Sequence, residues 1–111
     1  MEVYNKFIIE TDDQLGDCMI IAKCTFHKQL VVDKTKVKGG GWWARNKNTI
    51  TLFGDSHDFG AAKIEDIAKC VQNRRCYTNN SLMNKISSDF KFFYRDVTGE
   101  VTDLETYEII T

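Results

Sequence analysis

Between Trp42 and Phe53 the chain leaves itself little conformational freedom. Trp42-Trp43-Ala44-Arg45 and Thr49-Ile50-Thr51-Leu52-Phe53 are short runs rich in β-branched and aromatic residues, and a polar Asn46-Lys47-Asn48 stretch separates them. That pattern predicts an antiparallel hairpin, which commits the middle of the chain to a sheet with a core behind it. At 111 residues, 42% hydrophobic and 28% charged, there is material for one such core and no second, so residues 1–111 read as a single domain. Upstream, Val31 to Lys38 alternates, with Lys34, Lys36 and Lys38 on one face and Thr35 and Val37 on the other. This predicts a strand with one wet side, interrupted by Gly39-Gly40-Gly41 before the hairpin.

The flanking segments complete the expectation. Residues 3–10 have strand composition. Thr11-Asp12-Asp13-Gln14 has the form of a capping box, and Leu15, Cys18, Met19, Ala22, Phe26 and Leu30 follow a helical period. Gly16 and the β-branched Ile20-Ile21 pair leave a strand over 18–24 as the alternative. Gly54 to Gly60 reads as a loop, and Ala61 to Arg74 as a helix with Ile64, Ile67, Ala68 and Val71 inward. Ser81 to Ser88 reads as a short helix or turn. Phe90 to Arg95 and Val101 to Ile110 read as two strands around Val97-Thr98-Gly99-Glu100. The class that follows is α+β: a small mixed or antiparallel sheet with two main helices, in the order β-α-β-β-β-α with a C-terminal hairpin.

Net charge is −1, which argues against a dedicated nucleic-acid binder, but the charges are unevenly placed. From Lys23 to Thr51 seven lysines and arginines face Asp33 alone, whereas from Asp96 onward there are five acids and no base. Two readings follow: the segments neutralise each other across the sheet, or they steer a charged partner to one face. No apolar run approaches the ~18 residues of a membrane span, and the N-terminus has no basic-then-apolar leader pattern, so a cytoplasmic protein without membrane association is expected. There Cys18, Cys24, Cys70 and Cys76 are expected as thiols. Their C-x5-C spacings are not those of zinc ribbons, so neither metal nor other cofactor is expected.

The segment Gly54-Asp55-Ser56-His57-Asp58-Phe59-Gly60 places polar groups between a strand and a helix start, where unpaired amides and the helix dipole favour an anion. Asp55 and Asp58 oppose that, and either would serve as a helix cap. Lys38-Gly39-Gly40-Gly41, a polar turn, and Ile50-Thr51-Leu52-Phe53 running into this loop and a helix together resemble the small phosphohistidine phosphatases of the Janus/Ocnus family over about residues 31–74. The resemblance implies a phosphate loop at Ser56, with the amides of His57 and Asp58, and a phosphate-containing ligand. The chain departs from that pattern at Trp42, where the family has an arginine, and at the first helix start, where Asp12, Asp13 and Asp17 stand without the family's catalytic histidine. Gly54-Asp55-Ser56 also resembles the nucleophile block of GDSL esterases, but no histidine follows His57 to complete a triad.

With that constellation incomplete, the favoured expectation is a non-enzymatic accessory or regulatory protein that binds a protein partner. The binding residues are Trp42, Trp43, Arg45, Lys34, Lys36 and Lys38, joined at the loop by Gly54, Ser56 and Asp58. The enzymatic alternative is a divergent phosphohistidine-type phosphatase, with Ser56 and the loop amides holding phosphate and His57 or His27 as base. Weak nucleic-acid binding through the Lys34–Lys47 segment is a third. Phe90, Phe92, Phe93 and Tyr94 read as core and sheet-edge packing rather than a stacking platform. Eleven lysines against four arginines, seven asparagines and no proline match the usage of an AT-rich genome such as a phage's.

Overall fold

The computed structural model describes residues 4–78 and 85–109. They form a seven-stranded mixed sheet with one α-helix, 47% strand and 16% helix, so the expected two-helix α+β arrangement does not hold. The elements are β1 (Tyr4–Asp12), β2 (Gly16–Cys24), 3-10 turns at His27–Leu30 and Lys34–Lys36, β3 (Val37–Asn46), β4 (Thr49–Phe53), α1 (Ile64–Gln72), β5 (Cys76–Thr78), β6 (Lys91–Arg95) and β7 (Val101–Asp103). Their order across the sheet is β5-β2-β1-β3-β4-β6-β7. β2/β5 and β4/β6 are parallel; the other neighbours are antiparallel.

The largest correction lies at residues 11–30. The predicted first helix is the turn and second arm of a hairpin, with Asp12 paired to Gly16 and Tyr4 to Cys24. Asp12 Oδ1 accepts the amides of Gln14 (2.9 Å) and Leu15 (3.0 Å), so the acid that looked like part of a helix start closes a turn instead. Gly16 takes φ +84, a left-handed conformation that glycine adopts at little cost. Cys18-Met19-Ile20-Ile21 is buried throughout, because β2 is covered on both faces and needs no polar side. Phe7, Ile8 and Ile9 on β1 are fully buried for the same reason.

The second correction is at 31–38. The alternating lysines do not share a strand face, because local side-chain bonds divert the backbone into 3-10 turns. Asp33 Oδ1 accepts from Thr35 N (3.0 Å) and Thr35 Oγ1 (2.6 Å), while Glu10 on β1 accepts the amides of Val32 (2.8 Å) and Asp33 (3.3 Å). The glycine block, in turn, lies within β3 rather than before it. A bulge falls there: β1 Ile9 pairs with Gly39 but Glu10 with Val37, and Gly39 takes φ +141.

The expected hairpin is β3–β4, with a two-residue Lys47-Asn48 connection. The expected helix is α1, with Lys63 rather than Asp55 or Asp58 at its N-cap position and no capping hydrogen bond from that side chain. Its Ile67, Ala68 and Val71 pack on Phe7, Ile9, Met19, Ile50, Leu52, Phe92 and Leu104 to make the main core. A smaller cluster of Ile8, Ile20, Cys24 and Leu30 occupies the opposite face beneath residues 25–36. At the C-terminus the expected strand pair is β6–β7, shorter than anticipated; Val3, residues 81–84 and Ile110 of the expected elements lie outside the described residues.

Candidate functional site

Adjacent residues on a strand face opposite ways, so the tandem tryptophans of β3 serve two faces. Trp43 points to the α1 side, packs against the main core and donates its indole N–H to both the Lys6 and Ala22 carbonyls (3.2 Å each). Two positions along the same strand, the Arg45 guanidinium lies 4.7 Å above the Phe90 ring and its Nε donates to the Lys47 carbonyl (2.6 Å). Trp43, Arg45 and Phe90, with Ile21, Ala22, Ile50 and Ile86, border a cavity of about 360 Å³. Among the described residues Lys23 and Thr78 complete its lining, so apolar walls meet two cations and a hydroxyl.

Trp42 occupies the other face. Lys6 Nζ sits 3.9 Å from its ring centroid, and His27 approaches edge-on at 6.1 Å. Gly54 lies directly against the indole: a Cβ there would come within 2.6 Å of Trp42 Cδ1.

The lysines are elsewhere again. Lys36 pairs with Asp13, and Lys38 pairs with Asp17 (2.9 Å) and more loosely with Asp66 (3.9 Å), while Lys34 is exposed. Burial raises the Asp17 carboxyl, but the Lys38 ammonium and the Thr11 hydroxyl outweigh it and leave the group below its ordinary value. The acidic tail does not supply these partners; its Glu105 pairs with Arg74. The binding residues expected from sequence are thus brought together in part: Trp43 with Arg45, Trp42 with Gly54, and the paired lysines near the β1–β2 turn.

In the loop after β4, Ser56 and Gly60 exchange backbone hydrogen bonds (3.1 and 2.8 Å), and the Ser56 hydroxyl oxygen accepts from Phe59 N (3.2 Å). Ser56 is 2% exposed, whereas His57 and Asp58 are exposed at the tip. The serine oxygen and the amides of Ser56, Phe59 and Gly60 therefore hold the loop's own shape.

Sequence reasoning offered His27 as the alternative to His57 for the base of the phosphatase reading. It is buried, and its Nε2 lies 2.7 Å from the Gly41 carbonyl, which requires the tautomer with hydrogen on Nε2. Burial pulls its titration below the usual value, Lys6 adds to that, and the Gly41 bond with Asp58 and Asp55 opposes it. The readable signal was Gly40: its missing side chain makes the space, since a Cβ there would stand 3.2 Å from His27 Cδ2.

All four cysteines are free and buried. Burial pushes the Cys76 thiol up to about 12 and the Cys70 thiol up as well, so neither supplies a thiolate near neutrality. Among the described residues no group of three or more histidines, cysteines and acids is placed to hold a metal ion, and no helix is long and apolar enough to cross a membrane. No protein-family model, no curated protein and no solved structure matches the chain.

Proposed function

We propose that the chain is a small accessory or regulatory domain that binds a protein partner through the Trp43–Arg45 end of the β3–β4 hairpin. The observation that carries this reading is the Arg45 guanidinium stacked on Phe90 beside the cavity walled by Ile21, Trp43 and Ile50. Tryptophan and arginine around an apolar recess are the residue types that dominate binding energy at protein interfaces. Lys23 and Arg45 add positive charge, so the complementary segment presents an apolar side chain flanked by acids. The phosphate-loop reading has less support, because the Ser56 oxygen is buried and already accepts Phe59 N.

The test is affinity capture from the producing cell with wild type, Arg45→Glu and Lys34→Glu as baits, each verified as folded by circular dichroism. A partner held by wild type and Lys34→Glu but lost with Arg45→Glu is the expected result. Undiminished capture by Arg45→Glu contradicts the proposal.

A further inference from the structure

The recess beside Arg45 calls for an apolar side chain flanked by acids, and the chain carries such a segment at the other end of its sheet. Strands β6 and β7 are joined through Asp96-Val97-Thr98-Gly99-Glu100. Val97 is fully exposed, more so than Val32, Val101, Phe26 or Leu15. The turn that presents it is tightly bonded. Gly99 N donates to the Asp96 carbonyl (3.0 Å), Asp96 Oδ1 accepts the amides of Thr98 (2.9 Å) and Glu100 (3.0 Å), and Gly99 takes φ +89. The Thr98 hydroxyl and these amides also hold the Asp96 carboxyl below its ordinary value, so it is an anion at neutral pH. The valine therefore stands at the tip of a preorganised turn, with Asp96 before it and the exposed Glu100 after it, and little ordering entropy opposes its docking. It cannot reach the recess of its own molecule. Phe90, at the recess, immediately precedes β6, and Asp96 immediately follows it, so five residues of extended strand, about 17 Å, separate the two.

We propose that the recess of one copy of this chain receives the Val97 turn of another, which rests on the docking reading above and names its partner as a second copy. Val97 enters the cavity walled by Trp43 and Phe90, while Asp96 and Glu100 meet the Arg45 and Lys23 cations that border it. Asp55, which borders the groove next to Val97, adds a third acid to the donating end. One charge on each side opposes the match: Arg95, stacked on Phe53 beside the turn, and Asp89, next to Phe90. The two surfaces differ, so the contact is heterologous. It is either reciprocated in a closed pair or repeated into a ring or open chain. A contact centred on one valine is small, so the association is weak, and its exposed ion pairs make it weaker still at high salt.

The experiment is sedimentation velocity of the purified chain at low salt, from micromolar to near-millimolar concentration. The variants are Arg45→Glu in the recess, Val97→Asn at the turn tip and Lys34→Glu away from both, each verified as folded by circular dichroism. Wild type and Lys34→Glu are expected to grow with concentration to a dimer or beyond. Arg45→Glu and Val97→Asn alone associate more weakly by about tenfold or more. Mixed in equal amounts, these two form a heterodimer and nothing larger, because one keeps an intact turn and the other an intact recess. A wild type that stays monomeric, either variant associating as wild type does, or a mixture no larger than its separate components overturns the proposal. The docking reading is tested apart from it by capture: a monomeric chain whose Arg45→Glu variant still loses a different protein sinks the self-recognition and leaves the docking site standing.

Discussion

At the scale of single residues, His27 and the glycines around it show how a small omission shapes the fold. A neutral imidazole lies against Gly40, donates to the Gly41 carbonyl and meets the edge of Trp42, with Lys6, Asp55 and Asp58 as the charged groups that bear on it. Its folded-state titration lies below the unfolded value of 6.5, so the unfolded chain takes up the proton first. The stability this provides is fully present above pH 6.5 and is lost as pH falls from there toward the folded value. Asp12, Asp17, Asp33 and Asp96 are also held low, but their window opens near 3.8 and extends below it. Urea unfolding at pH 7.5 and 5.5 is therefore expected to show a drop for wild type, and a smaller drop for His27→Gln. The glycines give a matched comparison. Gly40→Ala places a Cβ 2.4 Å from the Phe7 carbonyl oxygen and is expected to cost about 1–3 kcal/mol or more. Gly60→Ala meets nothing within 4 Å and strains only a φ of +76, a cost of about 1–2 kcal/mol. Equal unfolding midpoints for the two variants would show that close packing at Gly40 is not what selects glycine there.

At the scale of elements, hairpin β3–β4 and helix α1 were legible because one kind of signal dominated each. β-branched and aromatic runs around a polar turn marked the hairpin, and a helical apolar stripe ending at Arg74-Arg75 marked the helix. Residues 11–24 carried conflicting signals. A Thr-x-x-Gln start and apolar residues three and four apart favour a helix, but a strand buried on both faces also shows apolar residues at those spacings. Gly16, Ile20 and Ile21 were the deciding residues, and they support the strand that was kept as the alternative. The lysine segment failed differently: its alternation is genuine, but Asp33 and Thr35 bind the backbone locally while Glu10 reaches across from β1. No short-range rule contains that last contact. The Ser56 loop was placed correctly in the chain, whereas the use of its hydroxyl was not readable. Ser56→Ala removes the bond to Phe59 N and is expected to lower stability by about 1 kcal/mol, measurable as a shift in the urea midpoint at unchanged slope.

At the scale of the whole molecule, the sheet divides the charged and aromatic residues among separate places, and no linear reading of the chain anticipates that division. Lys36 and Lys38 face acids of β2, α1 and the β1–β2 turn, so two of the seven cations from Lys23 to Thr51 are matched locally. Exposed pairs of this kind contribute little, about 0–1 kcal/mol each, so Lys36→Ala should barely move the unfolding midpoint. Arg45 stacks beside an apolar recess, two residues from Trp43 on the same face, and it carries the proposed docking site. Photo-crosslinking tests that claim most directly, with a photoreactive phenylalanine analogue in place of Phe90, which lines the same recess and leaves Arg45 intact, and at position 34 in a second variant, both in the producing cell. An intermolecular protein adduct from position 90 and none from position 34 is the predicted result; an adduct from position 34 alone, or from neither, contradicts it.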